Sequence, residues 1–159
     1  MKVIFLFFFL SICQSIFGQG VVDIIQKNQW ILVTDKLEKK KEINFVSFQK
    51  KKIELNAMIW SFLDNGKIEY DYQSADNIEA CNGVDFLDLD IENSFWKYNN
   101  DSQVFTLTLK GGYASIDDFV LKAEYIAFLT SDEFGNLGFQ LKQTKVLTFR
   151  DLTKLTRKK

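Results

Sequence analysis

The sequence predicts an all-β chain: an antiparallel up-and-down β-barrel of about eight strands. Three observations lead there. Apolar and polar residues alternate with a period of two in segment after segment, as half-buried strands require. Gly, Asn, Asp and Ser recur between those segments as turn formers in a chain without proline. Aromatic residues make up 15% of the chain and phenylalanine dominates them, which suits strands more than helices. A length of 159 residues fits one domain with a sizeable core. Sequential hairpins that close on themselves leave no free edges, so a barrel is favoured over an open sheet.

The first eighteen residues stand apart. Lys2 forms a short positive region, Val3–Ile12 is apolar, and small or polar residues follow up to Gly18. This is the pattern of a secretory signal peptide over 1–18, cleaved before Gln19, which leaves 19–159 as the single domain. The apolar run is too short to span a bilayer comfortably, so no transmembrane segment is expected in the mature chain. The expected location is secreted or periplasmic. The rival reading is a lipoprotein acylated at Cys13, since Leu10-Ser11-Ile12-Cys13 resembles a lipobox with Ile12 where a small residue is usual.

In the remaining chain Val21–Gln29 reads as a short helical turn and Trp30–Thr34 as the first strand. Asp35–Glu42 is a charge run, expected as a solvated loop or a short helical excursion. Ile43–Gln49 is strand-like, Lys50-Lys51-Lys52 breaks the pattern, and Ile53–Leu63 enters a turn at Asp64-Asn65-Gly66. Asn-Gly suits a two-residue type I′ connection pairing Leu63 with Lys67. Beyond it Ile68, Tyr70 and Tyr72 alternate with Lys67, Glu69 and Asp71. Asp85–Glu92 repeats the alternation with Leu87, Leu89 and Ile91, and Phe95–Tyr98 is a further aromatic strand. Val104–Lys110 turns Phe105, Leu107 and Leu109 inward, and Gly111-Gly112 reads as a turn. Tyr113–Thr130 could be strand or helix; one parity shared by Phe119, Leu121, Ala123, Tyr125, Ala127 and Leu129 favours strand. Leu137–Leu141 and Val146–Arg150 are the last strands, separated near Gln143-Thr144-Lys145, before a basic tail over Asp151–Lys159.

Several residues together carry a resemblance. They are Asn28-Gln29-Trp30-Ile31-Leu32, Trp60-Ser61-Phe62 with Asp64-Asn65-Gly66-Lys67, Cys81, Phe95-Trp96-Lys97-Tyr98, and Leu147-Thr148-Phe149-Arg150. In their order and spacing they resemble the secreted bacterial lipocalin-like domain family over nearly the whole mature chain. The resemblance implies an eight-stranded calyx with a small-molecule cavity. It also implies that Trp30 plugs the closed end of the barrel and that Arg150, near the end of the last strand, lies across it.

Chemistry is constrained chiefly by what the composition omits. There is no histidine, which excludes Ser-His-Asp and Cys-His catalysis and histidine-ligated metals. The formal charge is −1, giving no general attraction to nucleic acid. Cys81 is the single cysteine after the signal and cannot form an internal disulfide. Asp88, Asp90 and Glu92 lack the spacing of a calcium loop, and Asp117-Asp118 point to opposite faces if on a strand. No cofactor or metal is therefore expected, and no enzymatic activity. The better site candidates are aromatic: Trp60, Phe62, Tyr70, Tyr72, Phe105 and Tyr125 could line a calyx that takes a small apolar ligand. Each could equally be ordinary core, in a filled barrel of the cell envelope that serves a structural or protein-binding role.

The leader reading makes a simple prediction. Mass spectrometry of the exported protein should find Gln19 as its amino terminus; a lipid-modified Cys13 would replace secretion with membrane anchoring.

Overall fold

The computed structural model describes residues 20–34, 36–49, 57–73, 87–113 and 119–152. Cys13, Cys81, Asp117, Asp118, the leader and most of the basic tail lie outside them. A short helix, α1 (20–27), precedes nine strands. These are β1 (Gln29–Leu32), β2 (Glu42–Ser47), β3 (Ala57–Phe62), β4 (Ile68–Gln73), β5 (Leu87–Leu89), β6 (Phe95–Asn99), β7 (Val104–Tyr113), β8 (Phe119–Ser131) and β9 (Leu137–Asp151). A 3-10 turn, Leu37–Lys39, interrupts the charge run between β1 and β2.

All pairings are antiparallel, in the order β4-β3-β1-β2-β9-β8-β7. The far edge of β7 is shared: β6 pairs with Val104–Thr108, and β5 with Gly111–Tyr113. The sheet thus curls into a nearly closed barrel, as the period-two pattern predicts. Succession is strict from β6 to β9 but not at the start, where β1 lies between β2 and β3. The segment joining β2 to β3 carries Lys50-Lys51-Lys52 and no glycine, so its sequence offers no tight-turn signal between the two strands.

The turn at Asp64-Asn65-Gly66 differs from the expected type I′. Gly66 alone has a positive φ, +80°, and Asn65 does not. Gly66 N donates to Leu63 O (2.9 Å), and Leu63 N to Lys67 O (3.0 Å). This is a three-residue loop, a type I turn followed by a left-handed glycine. Asn65 contributes through its side chain, its Oδ1 accepting from Lys67 N at 2.9 Å.

That turn closes the barrel. Trp96 of β6 donates its backbone N–H to Gly66 O (2.8 Å) and its indole N–H to Leu63 O (3.0 Å). Lys67 bridges Phe95, and Ile68 N reaches Ser94 O at 3.4 Å. Higher on the same seam, Tyr70 Oη donates to Asp88 Oδ1 at 2.6 Å, tying β4 to β5.

Gly111 and Gly112 do not turn the chain; they continue β7. A Cβ at Gly111 would lie 2.5 Å from Asp88 O, so glycine here permits the close approach of β5. Among the described residues of the Asp85–Glu92 alternation, Leu87–Leu89 is strand, and Ile91 is exposed in the turn that follows. The two expected final strands are one 15-residue strand. The polar stretch read as a break holds instead a β-bulge at Thr144, and a second follows at Leu147, both skipped by the β8 register.

Both ends of β1 carry a cap. At its start α1 buries Ile25, while Asn28 Nδ2 and Trp30 Nε1 donate to Ile24 O and Ile25 O, each at 2.8 Å. These satisfy last-turn carbonyls that a helix leaves orphaned. At its end the 3-10 turn buries Leu37, whose N–H donates to Tyr113 Oη on β7 at 3.0 Å.

Gly66→Val should destabilise the fold by about 1–3 kcal/mol, since it combines a strained positive φ with a Cβ 3.0 Å from Trp96 O. Urea denaturation checks this; an unchanged midpoint would show that the turn does not hold the seam.

Candidate functional site

The inward faces converge on a band of aromatic rings. Trp60 and Phe62 on β3, Phe105 on β7 and Tyr125 on β8 are all buried, as are Phe45 on β2 and Phe139 on β9. Phe45 stacks on Phe139 with centroids 4.5 Å apart, and Trp30 meets Phe139 edge-on at 4.6 Å. Phe62 contacts Phe105 at 5.9 Å, and Phe105 stacks on Trp96 at 5.3 Å. Four of the six aromatic candidates therefore belong to one interior. Phe45 and Phe139 escaped sequence reasoning, although the alternation Ile43-Asn44-Phe45 is a signal that could have found Phe45.

Tyr70 and Tyr72 share the inward parity of β4 but are only half-buried, packed against this core beside the seam. Burial, then the hydrogen bond to the Asp88 carboxylate, pushes the Tyr70 hydroxyl up to about 12. Burial also raises Tyr72.

Trp30 and Arg150 are not brought together. Trp30 is buried against Phe139, and its indole N–H donates to Ile25 O of α1. Arg150 is exposed and pairs with Val120. Because β9 is one continuous strand, it carries Arg150 eleven residues past Phe139. The expectation that Arg150 lies across Trp30 is corrected accordingly: α1 bonds the Trp30 indole, and Trp96 bonds the seam.

Among the described residues two polar atoms in this interior lack a close hydrogen-bond partner, Trp60 Nε1 and Tyr125 Oη, on residues of 0% exposure; only Tyr125 has a side-chain partner in reach, Gln143. Burial pushes the Tyr125 hydroxyl up, and its hydrogen-bonding contact with the Gln143 side chain opposes the shift. Leaving such a group unpaired in a protein interior costs about 1–3 kcal/mol. A third unpartnered atom, Glu38 Oε2, sits on the 3-10 turn, where Glu38 Oε1 is 3.7 Å from Lys39 Nζ.

Outside the seam, Asp88, Asp90, Lys110, Gly111 and Leu152 line a groove of about 410 Å³. Its carboxylates are engaged. Asp88 accepts from Tyr70, and Asp90 accepts from Lys110 and Asn93, each at 2.8 Å. Those two donors, Lys110 first, hold the Asp90 carboxyl below the usual carboxylate range. The described residues contain no cluster of three or more metal-ligating side chains.

The raised Tyr70 fixes a sign. Its neutral form is favoured in the folded state, so its stabilisation is complete below pH 10 and is lost as pH rises toward 12. Melting temperature should fall across that interval, and less steeply in Tyr70→Phe; equal slopes would contradict the Tyr70–Asp88 link.

No protein-family model, curated protein or solved structure matches this chain. Among the described residues no helix is long and apolar enough to cross a membrane.

Proposed function

We propose that this protein is a non-enzymatic, secreted, lipocalin-like barrel that holds a small, largely apolar ligand. The observation that carries the reading is the buried Trp60 Nε1, which has no hydrogen-bond partner among the described residues, together with the Tyr125 hydroxyl of the same interior, reached only by Gln143. An indole N–H can only donate, and a phenol can donate or accept. A ligand that suits both is mostly hydrocarbon or aromatic and carries at least one oxygen acceptor. The interior supplies the apolar surface, and the two polar atoms supply orientation, the usual division of labour in such sites. The leader pattern supports export. The lack of histidine and the engagement of Asp88 and Asp90 by neighbouring side chains favour binding over catalysis.

The second reading is a filled barrel acting as a structural or interaction protein. It is favoured by the close ring stacking of Phe45, Phe139, Phe105 and Trp96.

Tyr125→Phe separates the two. If the hydroxyl is unpartnered without ligand, its removal should leave the ligand-free protein equally stable or about 1 kcal/mol more stable. Native mass spectrometry of protein from its own host should show a lipid-sized adduct that this variant retains less well. A bare mass in the native protein would favour the filled barrel, and a destabilised ligand-free variant would show that the hydroxyl already has a partner.

A further inference from the structure

The hairpin of β8 and β9 outruns its neighbours at both ends, leaving two edges that no described strand covers and that are built differently. On β9, pairing with β2 ends at Lys142, with one more bond from Gln143 N to Lys41 O (2.7 Å). Beyond it no described strand covers that edge. This stretch carries Lys145, Arg150 and bulges at Thr144 and Leu147. Charges and bulges are the devices that stop an edge from recruiting another strand.

The β8 edge has none of them. Pairing with β7 ends at Phe105↔Tyr125, and from Ile126 to Ser131 no described strand lies on that side. The stretch reads Ile-Ala-Phe-Leu-Thr-Ser, without charge or proline. Its register against β9 runs without a shift from Tyr125↔Gln143 to Ser131↔Leu137. Ile126, Phe128 and Leu129 are 41%, 46% and 38% exposed. The adjoining turn is firmly set. Asp132 Oδ1 accepts from Phe134 N (2.9 Å) and Asn136 N (2.7 Å), and Gln49 Nε2 donates to Asn136 Oδ1 (2.8 Å).

We propose that this β8 edge pairs with the same edge of a second copy, about a twofold axis at Phe128. An antiparallel register centred there sets Phe128 against Phe128, Ala127 against Leu129 and Ile126 against Thr130. Every opposed pair is uncharged. The pairing limits itself, because β7 occupies the edge from Tyr125 onward. It therefore stops before Glu124 would face Asp132, the first like-charged pair in this register. An isologous contact of this kind closes as a dimer and does not propagate into a fibre.

Analytical ultracentrifugation over a concentration series should give twice the chain mass for the native protein. Phe128→Lys and Thr130→Lys should each give the single-chain mass with an unchanged circular dichroism spectrum. Phe149→Lys, on the blunted β9 edge, should leave the dimer intact. With Cys13 and Cys81 changed to Ser, Phe128→Cys should cross-link to itself, since opposed Cα atoms in antiparallel strands lie about 4.5–5.5 Å apart. Ile126→Cys should not, being about 13 Å from its own copy in this register. A single-chain mass throughout the series, or cross-linking by Ile126→Cys as readily as by Phe128→Cys, overturns the proposal.

Discussion

The barrel depends on one tryptophan. Sheet hydrogen bonding runs continuously from β4 round to β7, and the two ends of that run are joined chiefly through Trp96. Its backbone and indole N–H groups both land on the β3–β4 turn, on Gly66 O and Leu63 O. Leu63 O also accepts from Gly66 N, so both its lone pairs are used, one by the turn and one by β6. The ring stacks on Phe105 and meets Phe62 edge-on, which links closure of the seam to assembly of the interior. Without this junction β4 would be an edge strand, and the aromatic band would face water along the gap.

Much of this fold was legible in the sequence because burial on one side of a strand writes itself as alternation. Phe105, Leu107 and Leu109 are all buried, and Phe119, Leu121, Ala123 and Tyr125 share the inner face as their parity indicates. The misreadings have a common cause: glycines and polar residues respond to contacts that sequence proximity does not reveal. Gly111-Gly112 looks like a turn, yet Gly111 is demanded by β5 crossing close to the β7 backbone. Gln143-Thr144-Lys145 looks like a break and becomes a bulge, because β8 continues alongside to pair with both halves of β9. The placement of β1 between β2 and β3 is set by long-range pairing, which no local pattern encodes.

The site was legible in residue type and less so in role. An inner row of aromatics was expected at Trp60, Phe62, Phe105 and Tyr125, and the fold brings them into one interior. Which of them carries a polar atom without a partner depends on what lies opposite, and that is a property of the assembled barrel. The same holds for Arg150. Its distance from Trp30 follows from the unbroken length of β9, the feature that the polar bulge disguised.

Closure by Trp96 is best tested by native-state hydrogen exchange at its two N–H groups. If they hold the barrel shut, backbone and indole protons should exchange together, at the free energy of global unfolding. Exchange of either proton well below that energy, while β7 and β8 amides stay protected, would mean that the seam opens on its own and that the barrel does not depend on it.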